Sequence, residues 1–430
     1  MALTRALRAT AIDLRPLREC RDYRLLWSGQ LVSALGRQIT VVAIPFQVYA
    51  LSRSTLAVGL IGAAQVVPFV GLSLFGGALA DRVDRRRLLL ATNSALALCS
   101  TALAIAALRG DPPAWYVVVV AACIAGLAAV DQPARTATIP NLVPRELLPA
   151  AIALSYGLFV LSVIAGPAAG GLVIAKLGLG PAYLTDVATY GVAIAAVLML
   201  TPQPPKGAIV EPQLRAIATG LRHLGDRPAI LGSFAIDLDA MIFGMPRALF
   251  PVLAAQTFHT GPAGLGLMYA SIAAGGLVAV VTTGWLKAAR RLGRIVVFAV
   301  CAWGVAITLA GLTGTLWVAL VLLAVAGASD TVSAVCRSTM LQASTPDHLR
   351  GRLAAAYSMV VAGGPYAGDI ESGAVGAIFT PKVSFVSGGI LCLVGVGVVV
   401  LAFPQLWTYD VTRDSVSSTG PAAATAAASP

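Results

Sequence analysis

The feature that most constrains this chain is the repetition of long apolar runs along its length. A helix that crosses a bilayer needs about 20 mostly apolar residues, because it rises about 1.5 Å per residue and must match the hydrocarbon core. Twelve runs reach that length. They cover residues 25–50, 57–80, 88–108, 114–135, 149–174, 181–200, 229–255, 263–287, 294–313, 315–337, 352–378 and 383–403. The pattern predicts an all-α integral membrane protein with twelve transmembrane helices.

Charge content excludes the soluble classes. Apolar residues make up 58% of the chain and charged residues only 11%, whereas about a quarter of an average soluble domain is charged. The formal net charge of +11 raises the possibility of a nucleic-acid partner. The basic residues cluster between apolar runs instead of forming one patch, so we predict a lipid bilayer, and no nucleic acid, as the surroundings.

Neither metal binding nor catalysis is indicated. The six cysteines form no CxxC pair, and the three histidines are scattered, so we expect no metal and no cofactor. The sequence contains no phosphate-binding loop and no nucleophile elbow. We therefore predict that the chain is not an enzyme, and that no ATP-hydrolysing motor is part of it.

One long polar stretch divides the runs into two sets of six. It covers residues 201–228 and is rich in proline and arginine. We predict a six-helix bundle over residues 1–200, a cytoplasmic linker over 201–228 and a second six-helix bundle over 229–410. The Ala-, Ser- and Thr-rich residues 411–430 predict a disordered tail.

The distribution of basic residues predicts the orientation. With the N-terminus inside, 24 of the 30 lysines and arginines lie in inner segments. Four lie in outer segments, and two lie within spans. An even number of spans then places both termini in the cytoplasm. The basic segment before the first run also predicts a retained span instead of a cleaved signal peptide.

An internal repeat supports two related halves. An arginine followed nine residues later by a proline occurs at 135–144 and again at 337–346. The loop 77–87 has a weaker counterpart at 284–294. Parallel repeats of this kind are typical of two-bundle secondary transporters, although chance similarity between arginine-rich loops is an alternative.

The loop between the second and third runs is a candidate cytoplasmic gate. Its five motif positions are Gly77, Asp81, Arg82, Arg85 and Arg86. The glycine permits close helix packing, and the aspartate can pair with an arginine or with a helix N-terminus. Such a charge cluster can hold one side of a transporter closed. The alternative is a loop that carries only the basic charge expected on the inner side.

The fifth run carries a second motif of small residues. Its members are Gly157, Gly166, Pro167, Gly170 and Gly171. Proline bends a helix by removing a backbone donor, and glycine allows helices to approach closely. Ordinary small-residue packing between membrane helices is the alternative interpretation.

Ionisable residues inside apolar runs are the candidates for binding substrate or protons, because burying a charge in a membrane is costly. They are Arg37, Asp131, Asp237, Asp239, Arg247, Asp330, Asp369 and Glu371. Residues two apart on a helix point about 200° apart, so Asp237 and Asp239 cannot face one cavity together, and neither can Asp369 and Glu371. Each residue either couples transport to protons or forms a structural ion pair, for instance with Arg37 or Arg247.

These motifs resemble those of the major facilitator superfamily. The loop resembles the signature G-x-L-x-D-R-x-G-R-[KR], except that Asp84 replaces its second glycine. The fifth run resembles the antiporter motif G-x(8)-G-P-x-x-G-G. The loop resemblance implies a conformational gate, and the antiporter motif implies efflux.

The stretches 133–148, 237–251 and 368–375 are similar to the enterobactin-exporter-like and drug-efflux branch of that superfamily, and the likeness extends over residues 15–405. It implies a bacterial plasma-membrane protein, working as a monomer, that exports siderophores or drug-like molecules by proton antiport and alternating access. Two positions depart from the branch: Arg37 follows Gly36 where an acid is usual, and Arg135 lies at the end of its run.

Two other functions remain open. An importer or uniporter of a small molecule would share the same runs and most of the motifs. A sensor with this fold would bind a small molecule without moving it.

Overall fold

The structure is a computed structural model that describes residues 13–110, 112–204, 225, 227–345 and 347–414. Within these ranges, only the backbone is described for residues 74–78, 80, 81, 287, 288, 347–352, 354–356, 358, 359 and 362. Most of the predicted linker 201–228 and residues 415–430 of the predicted tail therefore lie outside the described residues. Residues 411–414, which we predicted to be disordered, form a short helical turn.

In the described ranges, one long helix corresponds to each predicted apolar run. The twelve are numbered α1 (Arg21–Ser52), α2 (Thr55–Arg82), α3 (Arg85–Arg109), α4 (Ala114–Leu142), α5 (Leu148–Leu177), α6 (Leu179–Leu198), α7 (Pro228–Ile242), α8 (Gly261–Thr282), α9 (Leu292–Leu312), α10 (Leu316–Ala343), α11 (Asp347–Ile378) and α12 (Pro381–Ala402). No strand occurs in the same ranges.

The helices have the length and the surface of membrane spans. Eleven helical segments among the described residues are long and apolar enough to cross a membrane, and α11, which coincides with the predicted eleventh span, is 32 residues long. Large apolar side chains lie on their outer faces; Val67 is 73% exposed and Leu401 is 84% exposed. Helices satisfy their backbone hydrogen bonds internally, as a bilayer requires. The predicted all-α multi-pass membrane protein is confirmed.

The chain divides into two units. Unit 1 comprises Met1–Ser52, Ala64–Val210 and Leu265–Ala270, and unit 2 comprises Arg53–Ala63, Glu211–Gly264 and Ser271–Pro430. Unit 1 therefore includes a short segment near the beginning of α8, and the rest of α8 belongs to unit 2. Unit 2 includes the beginning of α2, and the rest of α2 belongs to unit 1.

The same helix pairs recur in both units. In unit 1, α1 packs against α5 and α6, while α3 packs against α4 and α6. In unit 2, α7 packs against α11 and α12, while α9 packs against α10 and α12. The second set is the first shifted by six helices, so the sequence repeat corresponds to a repeat of packing.

The seventh predicted span is interrupted. Helix α7 ends at Ile242, and residues 247–257 continue through short 3-10, α and π segments. Pro246 has no backbone N–H to continue the helix, and the Trp303 indole donates to the carbonyl oxygen of Gly244 at 2.7 Å. This neighbour satisfies a backbone group that the break frees, which is how non-helical backbone is tolerated at membrane depth.

Candidate functional site

The charged centre of unit 1 is an ion pair within α4. The guanidinium of Arg135 lies 2.8 Å from Asp131, one helical turn earlier, and the two side chains are 6% and 1% exposed. The second carboxylate oxygen of Asp131 accepts from the Thr92 hydroxyl at 2.7 Å. Arg135 also donates to the side-chain oxygen of Asn93 at 3.3 Å. Both charges are therefore compensated, as the structural alternative for Asp131 requires.

Arg135 is deeper in its helix than we predicted. The predicted fourth span ends at residue 135, but α4 continues to Leu142. The expectation that Arg135 lies at the end of the span is wrong. The buried charge of Arg135 is tolerated within the helix because Asp131 and Asn93 accept hydrogen bonds from the guanidinium in place of water.

A second buried acid in unit 1 was missed. Asp186 of α6 is 1% exposed, and one carboxylate oxygen accepts from the hydroxyls of Thr40 and Ser100, both at 2.7 Å. The Thr189 hydroxyl lies 3.5 Å from the other oxygen. The positive charge of Arg37 acts on this carboxylate from α1. The rule that identified the other candidates would have found Asp186, because it lies inside the predicted sixth span.

The charged centre of unit 2 joins different helices. Arg337 of α10 lies 2.7 Å from Asp237 of α7, and the two side chains are 2% and 1% exposed. The guanidinium also donates to the Ser333 hydroxyl at 2.7 Å and to the Tyr357 hydroxyl at 3.5 Å. Asp330 is 3.8 Å away and 45% exposed. Asp237 is therefore the principal counter-ion of Arg337.

The two centres are related by the repeat. Arg135 and Arg337 occupy the same repeat position, and each contacts the side chain four residues before it on the same helix. In unit 1 that residue is Asp131, so the counter-charge is local. In unit 2 it is Ser333, and Asp237 of another helix supplies the charge.

A further ion pair lies beside the break in the seventh span. Arg247, in the 3-10 segment that follows the break, contacts Asp369 of α11 at 2.8 Å. The backbone N–H of Ala248 also donates to this carboxylate. The side chains of Arg247 and Asp369 are 29% and 16% exposed, so this pair is more accessible than those on α4 and α10. It is one of the ion pairs that the sequence analysis offered as an alternative to proton coupling.

Asp239 and Glu371 differ from the other candidate acids in having no ion-pair partner among the described residues. One oxygen of each carboxylate is buried and has no hydrogen-bond partner among the described residues. Asp239 lies against Gly395 of α12 and accepts a hydrogen bond from the Cys392 thiol. Asp237 and Asp239 thus contact different helices, in keeping with their angular separation of about 200°.

The gate motif is described in part. Only the backbone is described at Gly77 and Asp81, and Arg82 is exposed. Arg85 is buried, and its guanidinium donates to the carbonyl oxygen of Ala137 in α4 at 2.8 Å. This basic residue therefore links α3 to α4 and is more than a charge that faces the cytoplasm.

The rest of the loop connects α3 to the end of α6. Arg86 donates to the carbonyl oxygens of Val197 and Leu198, and carbonyls at a helix C-terminus lack intrahelical partners. Asp84 accepts from the backbone N–H three residues later at 3.1 Å and from the backbone N–H of Gln203 at 3.0 Å. Asp84, which replaces the second glycine of the signature, is therefore the N-cap of α3.

The glycines of the fifth helix pack against α1. A Cβ added at Gly170 would lie 2.9 Å from the Cα of Ile39, and one added at Gly166 would meet the side chain of Gln38. Gly157 has open space on the same test. Two of the motif glycines thus allow a close approach, whereas Gly157 has no packing role within the described residues.

The other end of the motif packs against the beginning of α8 within unit 1. A Cβ added at Gly266 would meet the carbonyl oxygen of Pro167 and would lie 3.0 Å from the Cα of Gly171. The residues of the fifth-helix motif therefore allow the backbones of α1 and α8 to approach α5 closely.

Known proteins are similar to this chain over nearly its whole length. A family described as transmembrane secretion effector matches residues 11–423. The chain is similar to the enterobactin exporter EntS of Escherichia coli strain 536, with 27% identity over 95% of this chain and 98% of that protein. Similarity to EntS of Shigella boydii serotype 18 is 28%, over 95% and 98% of the two chains.

Solved structures share the fold. The nucleoside transporter NupG superposes with a TM-score of 0.71 at 13% identity, covering 90% of this chain and 99% of that chain. At this identity the likeness concerns the fold alone, and the predicted major facilitator architecture is confirmed.

Proposed function

Because this chain belongs to the transmembrane secretion effector family, we propose that it is a secondary active transporter that exports an amphipathic small molecule of the siderophore class. The similarity to enterobactin exporters extends over nearly the full length of both chains, so no domain of the relatives lacks a counterpart here. We place the protein in the cytoplasmic membrane of a bacterium on its similarity to bacterial exporters, and both termini in the cytoplasm on the distribution of its basic residues. We propose a monomer, as the family resemblance implies.

We assign the coupling ion as the proton. The observation that carries this step is the contrast between paired and unpaired acids in unit 2. Asp237 and Asp369 each face an arginine at 2.7–2.8 Å, whereas Glu371 and Asp239 have no ion-pair partner in the described part of the chain, and one oxygen of each is buried without a hydrogen-bond partner. A carboxylate without a cation can be neutralised by a proton, and intramembrane acids of this kind form proton relays in transporters.

Alternating access would use the elements already described. Two-bundle transporters move substrate by rocking one repeat against the other. Arg85 and Arg86 join α3 to α4 and α6, so the cytoplasmic end of unit 1 would move as one body. Arg247, beside the break in the seventh span, and its partner Asp369 are partly exposed and are candidates for binding substrate.

The test uses inside-out membrane vesicles that contain the protein. The lumen is acidified, its pH is recorded optically, and a catecholate siderophore, a macrolide and a cationic dye are added in turn. We expect the catecholate to release protons from the lumen as it enters. Glu371→Gln should abolish that release, while Glu146→Gln, which removes an exposed acid outside the spans, should leave it unchanged.

Each outcome has a distinct meaning. Proton release that persists in Glu371→Gln but is lost in Asp239→Asn would move the coupling site. Catecholate uptake into the lumen without proton movement would contradict antiport and leave export intact. Net catecholate movement out of inside-out vesicles that hold the same catecholate concentration inside and outside would be import and would contradict export.

A further inference from the structure

A groove opens on the surface of unit 2, between α8, α9 and α10. Its volume is about 470 Å³, and its lining is almost wholly apolar. Val278 and Trp285 line one wall, Phe298 the second and Val332 the third. Trp285 and Phe298 are 55% and 63% exposed. A groove with this lining suits a hydrocarbon chain better than a polar solute.

Two arginines stand at one end of the groove. Arg294 lies four residues before Phe298, which lines the groove, so it occupies the same face of α9 one turn earlier, and Arg291 immediately precedes α9. Arg291 is exposed. Arg294 lies 5.1 Å above the Trp407 ring and donates from Nε to the Trp407 carbonyl oxygen, which holds its guanidinium in place.

The nearby acids do not neutralise these two arginines. Asp410 acts on Arg290, the residue before Arg291. Asp330 lies on α10 near the groove, but its carboxylate is 3.8 Å from Arg337. Among the described residues, neither Arg291 nor Arg294 forms an ion pair. The end of the groove therefore carries excess positive charge.

The internal repeat shows that this charge is specific to unit 2. At the repeat position of Arg291, unit 1 has Asp84, which caps its helix by accepting from the backbone N–H of Arg87. Arg291 makes no side-chain cap at the beginning of α9. An arginine in place of the aspartate changes the local charge by two units. The Arg291 side chain does not cap the helix that follows it.

We propose that this groove binds an anionic glycerophospholipid, with an acyl chain along its apolar wall and the phosphate between Arg291 and Arg294. Trp285 lies three residues after the end of α8, and tryptophan is enriched where membrane helices end, at the boundary between headgroups and hydrocarbon. Basic residues at that boundary attract anionic lipid, each contributing roughly a fivefold increase in affinity. Charge complementarity thus selects an anionic lipid over a zwitterionic one. The inference depends on the protein lying in a membrane, and it is independent of what the protein transports.

The test measures lipid binding to the full-length protein in detergent by native mass spectrometry. Dioleoylphosphatidylglycerol and dioleoylphosphatidylcholine, which carry the same acyl chains, are titrated separately. We expect phosphatidylglycerol to bind about 25-fold more tightly, because two arginines each contribute roughly fivefold. The double variant Arg291→Gln/Arg294→Gln should reduce the difference to less than about threefold. The control Arg18→Gln/Arg145→Gln removes two exposed arginines from unit 1 and should preserve it.

A third variant tests the groove itself. Ala328 lines it, and Ala328→Phe should weaken the binding of both lipids while leaving their ratio unchanged. Glycerol phosphate, which lacks acyl chains, should fail to displace phosphatidylglycerol. Equal binding of the two lipids by the unmodified protein would overturn the proposal. An equal loss of selectivity in the control double variant would do the same, as would displacement by glycerol phosphate.

Discussion

At the scale of single residues, each unit buries one arginine in the fourth helix of its repeat, and the two are compensated differently. Arg135 has its counter-ion one turn away on α4, so that pair forms with the helix. Arg337 depends on Asp237 of α7, so its charge is compensated only after the helices have packed. Removing one partner of a buried pair leaves an uncompensated charge, which costs more than the pair contributes.

Two acids beside Arg337 allow a matched comparison. Asp237→Asn removes a counter-ion that is 1% exposed at 2.7 Å, and we expect it to destabilise the protein by about 3 kcal/mol. Asp330→Asn removes an acid that is 45% exposed at 3.8 Å, and solvent screening limits the expected loss to less than about 1 kcal/mol. The measurement is the midpoint of thermal unfolding in detergent. Equal shifts for the two variants would contradict the assignment of Asp237 as the principal counter-ion.

At the scale of the helix, α5 shows how small residues determine packing. Gly166 and Gly170 lie one turn apart and face α1, while Pro167 and Gly171 face the beginning of α8. Helices in a membrane associate through close packing, because lipid provides little hydrophobic drive between them. The motif therefore acts through its shape, and its members need not contribute equally.

Two alanine variants separate the members of the motif. In Gly170→Ala the new methyl group would lie 2.9 Å from the Ile39 Cα, and we expect a loss of about 1–3 kcal/mol from overpacking. In Gly157→Ala the methyl group meets open space, and alanine is the better helix former, so stability should not fall. Thermal unfolding in detergent measures both variants. A loss in Gly157→Ala as large as that in Gly170→Ala would show that a contact other than the approach of α1 governs the motif.

At the scale of the whole molecule, the two units repeat the same helix pairs, and the basic residues lie overwhelmingly in one set of connecting segments. The segments predicted to be inner hold 24 of the 30 basic residues, and those predicted to be outer hold four. Two of the 24, Arg135 and Arg337, lie inside α4 and α10. Arg86 has a second role, since it contacts carbonyl groups at the end of α6, and Arg85 contacts the Ala137 carbonyl within α4. Basic residues that contribute to the predicted orientation thus also connect helices.

Reporter fusions test the orientation. Alkaline phosphatase, which is active only outside the cytoplasm, should be active when fused after Gly110, between α3 and α4, or after Gly314, between α9 and α10. It should be inactive when fused after Pro144 or Ala289. Activity at Pro144 together with inactivity at Gly110 would reverse the assigned orientation, because both positions flank the same helix, α4.

The number, position and helical nature of the spans could be predicted from sequence because these properties are local. A run of about 20 apolar residues must satisfy its backbone within itself when it enters lipid, and only a helix does so within one segment. For the same reason the ends of most helices lie close to the predicted ends. The candidate ionisable residues could also be found locally, since a charge within an apolar run needs no partner to be noticed; Asp186, which was missed, is of this kind.

The tertiary structure alone decided which charge meets which. Helical periodicity shows that Asp237 and Asp239 face apart, but not that one faces Arg337 and the other Gly395. Nor does it show that α4 continues past Arg135, or that the seventh span breaks near Pro246. Whether a buried charge, a break or a close approach is tolerated depends on the atoms that a neighbouring helix supplies. Those atoms come from residues distant in the chain and adjacent only after packing.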